Sequence, residues 1–208
     1  MSKCRPKKAS TATDAAERLH KSLAKRTKRE LIDALVEFAE DDRRLLRQLD
    51  ARFELETPAD ELLVVTRQAI ADATYFDKRD INRNFRYDYA AYDAVKRNLG
   101  RLIRLGHLRP AMELSLELMV KGSHQIEMSD EGLMTDNVKE CLQVVLEALT
   151  KCDLPADEVA AWCMHMLAAD SVGFVCDDEL KGQRQTSIAR TVTTDFQGSY
   201  DAPDERRD

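Results

Sequence analysis

Residues 89–122, YAAYDAVKRNLGRLIRLGHLRPAMELSLELMVKG, decide the fold of this chain. Tyr92, Val95, Leu99, Leu102 and Ile103 recur at helical spacing, and Met112, Leu116 and Met119 continue an apolar stripe beyond a turn. Gly106 suits the left-handed cap that ends a helix, and Pro110 suits the first turn of the next. The stretch therefore reads as two helices folded back on each other. A hairpin of this kind has one wet face and one that neighbouring helices must cover.

The flanking sequence supplies candidate neighbours. Upstream, Thr27 and Glu30 form a capping box ahead of a helix whose expected core face is Leu31, Leu35, Phe38 and Ala39. Asp41 and Asp42 open another helix, with Leu45, Leu46, Leu49 and Phe53 inward. Thr57-Pro58 starts a further one, as cap then Pro, carried by Leu62, Leu63, Val65, Thr66, Ala69 and Ile70 to about Thr74. Downstream, 123–135 reads as a polar, partly helical connection. Thr135 or Asp136 caps a helix with Val138, Cys141, Leu142, Val145 and Leu149 inward. The last strong helix, beginning near Pro155, turns Val159, Trp162, Cys163, Met166 and Leu167 to the core, and a short helix is expected near 171–182.

The expected fold is all-α: an array of antiparallel helical hairpins, HEAT- or TPR-like, or an irregular bundle. The turns around Pro110 (HLRPA) and Pro155 (DLPAD) lie 45 residues apart, within the range of paired-helix repeats. Three segments follow from composition: a basic, partly helical N-terminal arm over 1–26, a helical domain over 27–182, and a polar tail without structure over 183–208.

With 208 residues, 43% hydrophobic and 34% charged, the chain can bury a sizeable core. No apolar run reaches the length of a membrane-spanning helix. The first ten residues lack the apolar stretch of a secretory signal. Five scattered Cys fit reduced thiols, so a cytoplasmic location is expected. Residues 1–30 hold ten Lys or Arg against three acidic residues, a net +7. That leaves −13 on the remainder of a chain whose formal charge is −6. Such an arm can reach a polyanion, fold onto its own acidic body or keep the terminus in solution.

The segments TKRELIDALVEFAEDDRRLLRQLDARF (27–53), FRYDYAAYDAV (85–95) and LGRLIRLGHLRPAMELSLELM (99–119) resemble the helical region that follows the zinc finger in bacterial SWIM-type zinc-finger proteins. The resemblance spans about residues 27–170 and implies an all-α, repeat-like accessory domain of no assigned activity. The finger's Cys-x-Cys half is missing. Cys163-Met164-His165 alone has the spacing of the second half.

Catalytic and metal chemistry find little footing. Cys141, Cys152 and Cys163 recur every 11 residues. Two positions 11 apart on one helix are about 16 Å apart, whereas ligands to one zinc must lie about 2.0–2.3 Å from it. Nucleophilic catalysis would need a base in reach of a Cys or Ser, and His20, His107, His124 and His165 offer no recognisable pairing. No catalytic residue, metal ligand or cofactor is assigned, and a non-enzymatic protein is expected.

Binding is the better prospect. Six of the twelve aromatics fall in 75–92, interleaved with Lys78, Arg79, Arg83 and Arg86. Arg97, Arg101 and Arg104 share one helix face. Tyr75, Arg83, Arg86, Tyr87, Tyr89, Arg97, Arg101 and Arg104 are the candidate contacts of a groove near 75–104 for a protein or peptide partner. The plainer alternative has the aromatics closing the core and the Arg stripe pairing with Glu113 and Glu117. A nucleic-acid partner, held through Lys7, Lys8, Lys25, Arg26, Lys28 and Arg29 of the arm together with the arginine stripe, is the second reading. No membrane role is expected.

Overall fold

Periodicity of this strength leaves little room for strands, and the computed structural model of the chain contains none among the residues it describes, 10–53, 55 and 57–198. It has ten α-helices there: α1 (Ser10–Leu23), α2 (Lys28–Asp41), α3 (Arg43–Phe53), α4 (Ala59–Ala73), α5 (Lys78–Asn84), α6 (Tyr89–Arg104), α7 (Leu108–Met128), α8 (Thr135–Leu149), α9 (Ala156–Ala169) and α10 (Asp177–Gly198). They fall into two compact units, Met1–Arg52 and Phe53–Asp208. The charge pattern alone had put the boundary at 26/27. The stretch 27–52 belongs with α1 rather than with the helices that follow.

In the first unit, Thr27 caps α2 as its sequence requires. Its hydroxyl accepts from the Glu30 amide at 3.3 Å, and Glu30 Oε2 accepts from the Thr27 amide at 2.7 Å. The expected core faces do not become a core. Of Leu31, Leu35, Phe38 and Ala39 only Ala39 is buried, and none of the apolar residues of α3 is.

The second unit carries the core. Helix α4 packs on α6 and α7, α6 on α7 and α8, α7 on α8 and α9, and α10 on α9 and α8. Leu62, Ile70, Tyr92, Leu99, Leu118 and Leu142 are among its fully buried side chains. Each large apolar group removed from water contributes about 1.5–3 kcal/mol. The hairpin at 89–122 closes as its glycine foretells. Gly106 has φ +84°, its amide donates to Ile103 O at 3.0 Å, and the His107 amide donates to Leu102 O at 2.8 Å. These two bonds make the Schellman motif.

Four local expectations are corrected. Helix α7 does not stop at Gly122 but runs on to Met128. At Gly122 the absent side chain lets α7 meet Val138 of α8, and an added Cβ would lie 2.9 Å from Val138 Cγ2. The N-cap of α4 is Pro58, with no side-chain bond, because the Thr57 hydroxyl donates back to Leu55 O at 3.3 Å. Met134 precedes α8 without a side-chain cap, because the Thr135 hydroxyl donates to Gly132 O at 2.7 Å. Finally, the chain expected to lose structure after residue 182 stays helical to Gly198. Cys176, Leu180 and Ser187 are buried along it, and Thr186 and Ser187 donate to Gly182 O and Gln183 O. Residues 199–208 of the expected tail lie outside the described residues.

Candidate interaction surface

The aromatic-rich stretch 75–92 is anchored by two aspartates placed where helix starts need them. Asp77 accepts from the amides of Arg79 and Asp80 at 2.9 Å each and caps α5, and Asp88 accepts from Ala91 N at 3.0 Å and caps α6. Between these helices Phe85 adopts the left-handed conformation, φ 51° and ψ 42°, and the Arg86 amide donates to Asp80 O at 2.9 Å. The turn is further tied to α7: Asn82 Nδ2 donates to Met128 O at 3.3 Å, and Asn82 Oδ1 accepts from Asp130 N at 3.1 Å.

These ties sort the aromatics into two sets. Tyr92 is buried, and its hydroxyl donates to Gln125 Oε1 at 2.6 Å. Gln125 Nε2 in turn donates to Ala73 O and Tyr75 O at 3.0 Å each. Tyr87 is half-buried, its hydroxyl directed at Asn137 Oδ1 (2.7 Å) and Leu133 O (3.0 Å), and its ring meets Tyr92 edge to face at 6.1 Å. Burial pushes both phenols above the ordinary tyrosine range. Phe76 also packs on the core. The second set points outward: Tyr75 is 71% exposed, Phe85 56% and Tyr89 52%. Tyr89 lies against Tyr87 with ring centres 3.9 Å apart.

Lys78, Arg79, Arg83 and Arg86 are interleaved with the outward set along the chain. All four are exposed, and no hydrogen bond or ion pair among the described residues holds their side chains. The nearby Asp77 and Asp88 point their carboxylates at helix amides. The chain thus offers three accessible rings amid four uncommitted cations.

The arginine stripe does not extend this surface. From Tyr89 to Arg104 is about 22 Å along α6. Arg101 donates to Leu55 O, and Arg97 and Arg101 are only partly exposed. Arg104 is exposed at the far end. The expected pairing of the stripe with Glu117 is replaced by another. Glu117 accepts from Arg67 of α4 at 3.0 Å and from Lys121, one turn along its own helix, at 2.7 Å. Burial raises its carboxyl pKa, but the Lys121 and Arg67 hydrogen bonds outweigh that and hold it below the usual carboxylate range. The stripe's face meets α4 and α8, as Arg101 and the pair Lys96–Glu140 (2.8 Å) mark. One open depression, lined by Gln143, Glu147, Lys151, Glu179 and Gln183 among others, lies between α8 and α10 and includes no residue of 75–104.

Of the basic arm, Lys7 and Lys8 lie outside the described residues. Lys25 and Lys28 are exposed. Arg26 pairs with Glu30 at 3.5 Å and Arg29 with Asp33 at 3.9 Å, so both arginines are partly matched by their own helix.

The thiols sit in the core. Cys141 donates to Tyr92 O at 3.4 Å, and burial raises Cys141 and Cys176 to about 12 and Cys163 to about 11. Protonated thiols of this kind are poor nucleophiles near neutral pH. Among the described residues, no three His, Cys, Asp or Glu side chains gather as a metal site, and no helix is long and apolar enough to cross a membrane.

What sequence reasoning missed is Gln125, which sits in a stretch that reads as a polar connection yet holds α4, α6 and α7 together. Its signal was faint: a polar residue one position before Ile126 on a continuing helical period. Comparison with protein-family models, with curated proteins and with solved structures finds no match to this chain.

Proposed function

We propose that the chain is a non-enzymatic interaction module that takes an acidic peptide segment carrying apolar side chains at the end of the array formed by α5 and the start of α6. The observation that carries this reading is the conjunction of exposed Tyr75, Phe85 and Tyr89 with the uncommitted cations Lys78, Arg79, Arg83 and Arg86. Rings and guanidinium groups are the side chains that anchor protein interfaces most often. The Arg forks suit carboxylates in bidentate geometry. Tyr87 serves as the floor under Tyr89, while Arg97, Arg101 and Arg104 belong to the helix packing and its far edge. A cytoplasmic setting and the absence of a cofactor go with this reading, as does the resemblance to an accessory region of SWIM-type proteins.

The test is selection of displayed peptides on the full chain, followed by affinity measurement. Enriched peptides combine Asp or Glu with aromatic or leucine residues, and the double variant Arg83→Glu, Arg86→Glu binds them at least about tenfold more weakly. Peptides of no consistent charge, or equal binding by the variant, would sink the reading. Nucleic acid is the second reading, supported by the +7 of residues 1–30. It predicts that oligonucleotide binding falls steeply with salt and falls further in Lys25→Glu, Lys28→Glu.

A further inference from the structure

The two helical units differ in how they treat their apolar faces. The second closes a core, whereas in the first Ala39 is the one buried apolar residue among those described. Ile32, Leu35, Val36 and Phe38 of α2 are 45–61% exposed, Leu46 of α3 is 38% exposed, and Phe53, which ends α3 as the first residue of the second unit, is 62% exposed. Yet both helices are amphipathic in register. Leu31, Leu35 and Phe38 follow at i, i+4 and i+7, and Leu45, Leu49 and Phe53 at i, i+4 and i+8. Faces of this kind line the interior of four-helix bundles.

The two helices cannot cover each other. One residue, Asp42, separates the end of α2 from the start of α3. It is extended (φ −124°, ψ 100°), and its carboxylate accepts from the Arg44 amide at 2.8 Å. Antiparallel helices side by side need a loop of about two to five residues.

Charge says what kind of surface would complete these faces. Helix α2 holds five acidic residues against two basic ones, net −3, and α3 holds four Arg against one Asp, net +3. These charges also run against the helix dipole. Glu40 and Asp41 end α2, where cations are favoured, and Arg43 and Arg44 begin α3, where anions are favoured. A polyanion or an anionic membrane would be repelled by α2. A surface that is acidic on one helix and basic on the next is complementary to itself when turned about a two-fold axis.

We propose that two copies of this chain associate through the first unit, α2 of one protomer packing against α3 of its partner and α3 against α2, so that four amphipathic helices share one apolar interior. The acidic–basic match then occurs twice by symmetry.

The test is sedimentation of the full chain between about 1 and 100 μM, where a protomer of 23.7 kDa is distinguished from a species of twice that mass. The wild type sediments as the larger species. Glu40→Arg with Asp41→Arg makes both helices basic, and Arg43→Glu with Arg44→Glu makes both acidic. Each double variant places the new charge where the helix dipole prefers it, and circular dichroism checks that the helices persist. Alone, each variant dissociates roughly tenfold more readily than the wild type. Mixed in equal amounts, the two restore wild-type association, because the basic α2 of one now meets the acidic α3 of the other. A wild type that sediments only as the protomer overturns the proposal. So does a variant that associates as tightly as the wild type, or a mixture no stronger than its components.

Discussion

The hydroxyl of Tyr92 on α6 donates to Gln125 Oε1 on α7 at 2.6 Å, inside the core, and the amide of the same glutamine closes on the end of α4. One side chain thereby satisfies two carbonyls and one phenol that would otherwise be orphaned in a dry site. It also fixes the backbone of Tyr75, one of the three exposed rings of the candidate surface. Gln125→Leu leaves all three groups unmatched and is expected to destabilise the protein by about 3 kcal/mol in urea unfolding. Tyr92→Phe is expected to cost about 1–2 kcal/mol. In the double variant the two losses fall short of their sum, since each removes part of the same network.

Gly122 of α7 faces Val138 of α8. A Cβ there meets Val138 Cγ2 at 2.9 Å, and a β-branched side chain in a helix has almost no freedom to turn away. Gly122→Ala gains about 1 kcal/mol of helix propensity but loses more to the clash. We expect a net destabilisation of about 1 kcal/mol, reversed at least in part when Val138→Ala makes room. A Gly122→Ala variant more stable than the wild type would contradict this packing.

Alkaline pH should loosen the core. In the folded chain the thiols of Cys141 and Cys176 stay protonated to about pH 12 and that of Cys163 to about pH 11. The ordinary value is 9.0. The unfolded chain therefore releases these protons first, and stability present below pH 9 drains away as pH rises toward 12. A thermal-melt series should show Tm falling by roughly 5 °C or more between pH 9 and pH 11. Replacing the three cysteines with alanine should flatten that slope.

Helix α5 depends on its cap more than the longer helices do, since a helix of seven residues is marginal without tertiary support. Asp77→Ala removes two bonds to amides and should cost about 1 kcal/mol locally. Hydrogen exchange is expected to speed up over 78–84 while α6 and α7 keep their protection. Peptide affinity should fall with it, because Arg79 and Arg83 lose their common frame.

Much of the second unit was legible because its signals are local. Gly106 and Pro110 mark the hairpin turn, and Leu99, Leu102 and Met119 are buried where their spacing puts them. Side-chain bonds also run between the regions that follow the two Pro-containing turns. Arg109 bonds Glu158, Trp162 Nε1 donates to Met112 O, and the Ser123 hydroxyl donates to Ala169 O, partners 49, 50 and 46 residues apart.

What was not legible depends on neighbours that spacing cannot name. The packing role of Gly122 against Val138 is invisible in one dimension. Glu117 reads as a partner for the α6 arginines because Arg67 approaches from another helix. In α2, periodicity identifies Leu35 and Phe38 as an apolar face but says nothing of what covers it. Of the proposed surface, the aromatic and arginine content was plain in the sequence. The division of the rings into buried and outward sets was not, because it turns on Gln125 and on the left-handed Phe85.

The helices of the second unit that pack together lie within three places of each other in the chain. Among the described residues, the substantial packing is between helices close in sequence. Loop-closure entropy is therefore small at every step, and chains of that kind fold quickly. Helix α4 has its companions as soon as α7 has been made, so the core can begin to form during synthesis, well before α10 leaves the ribosome.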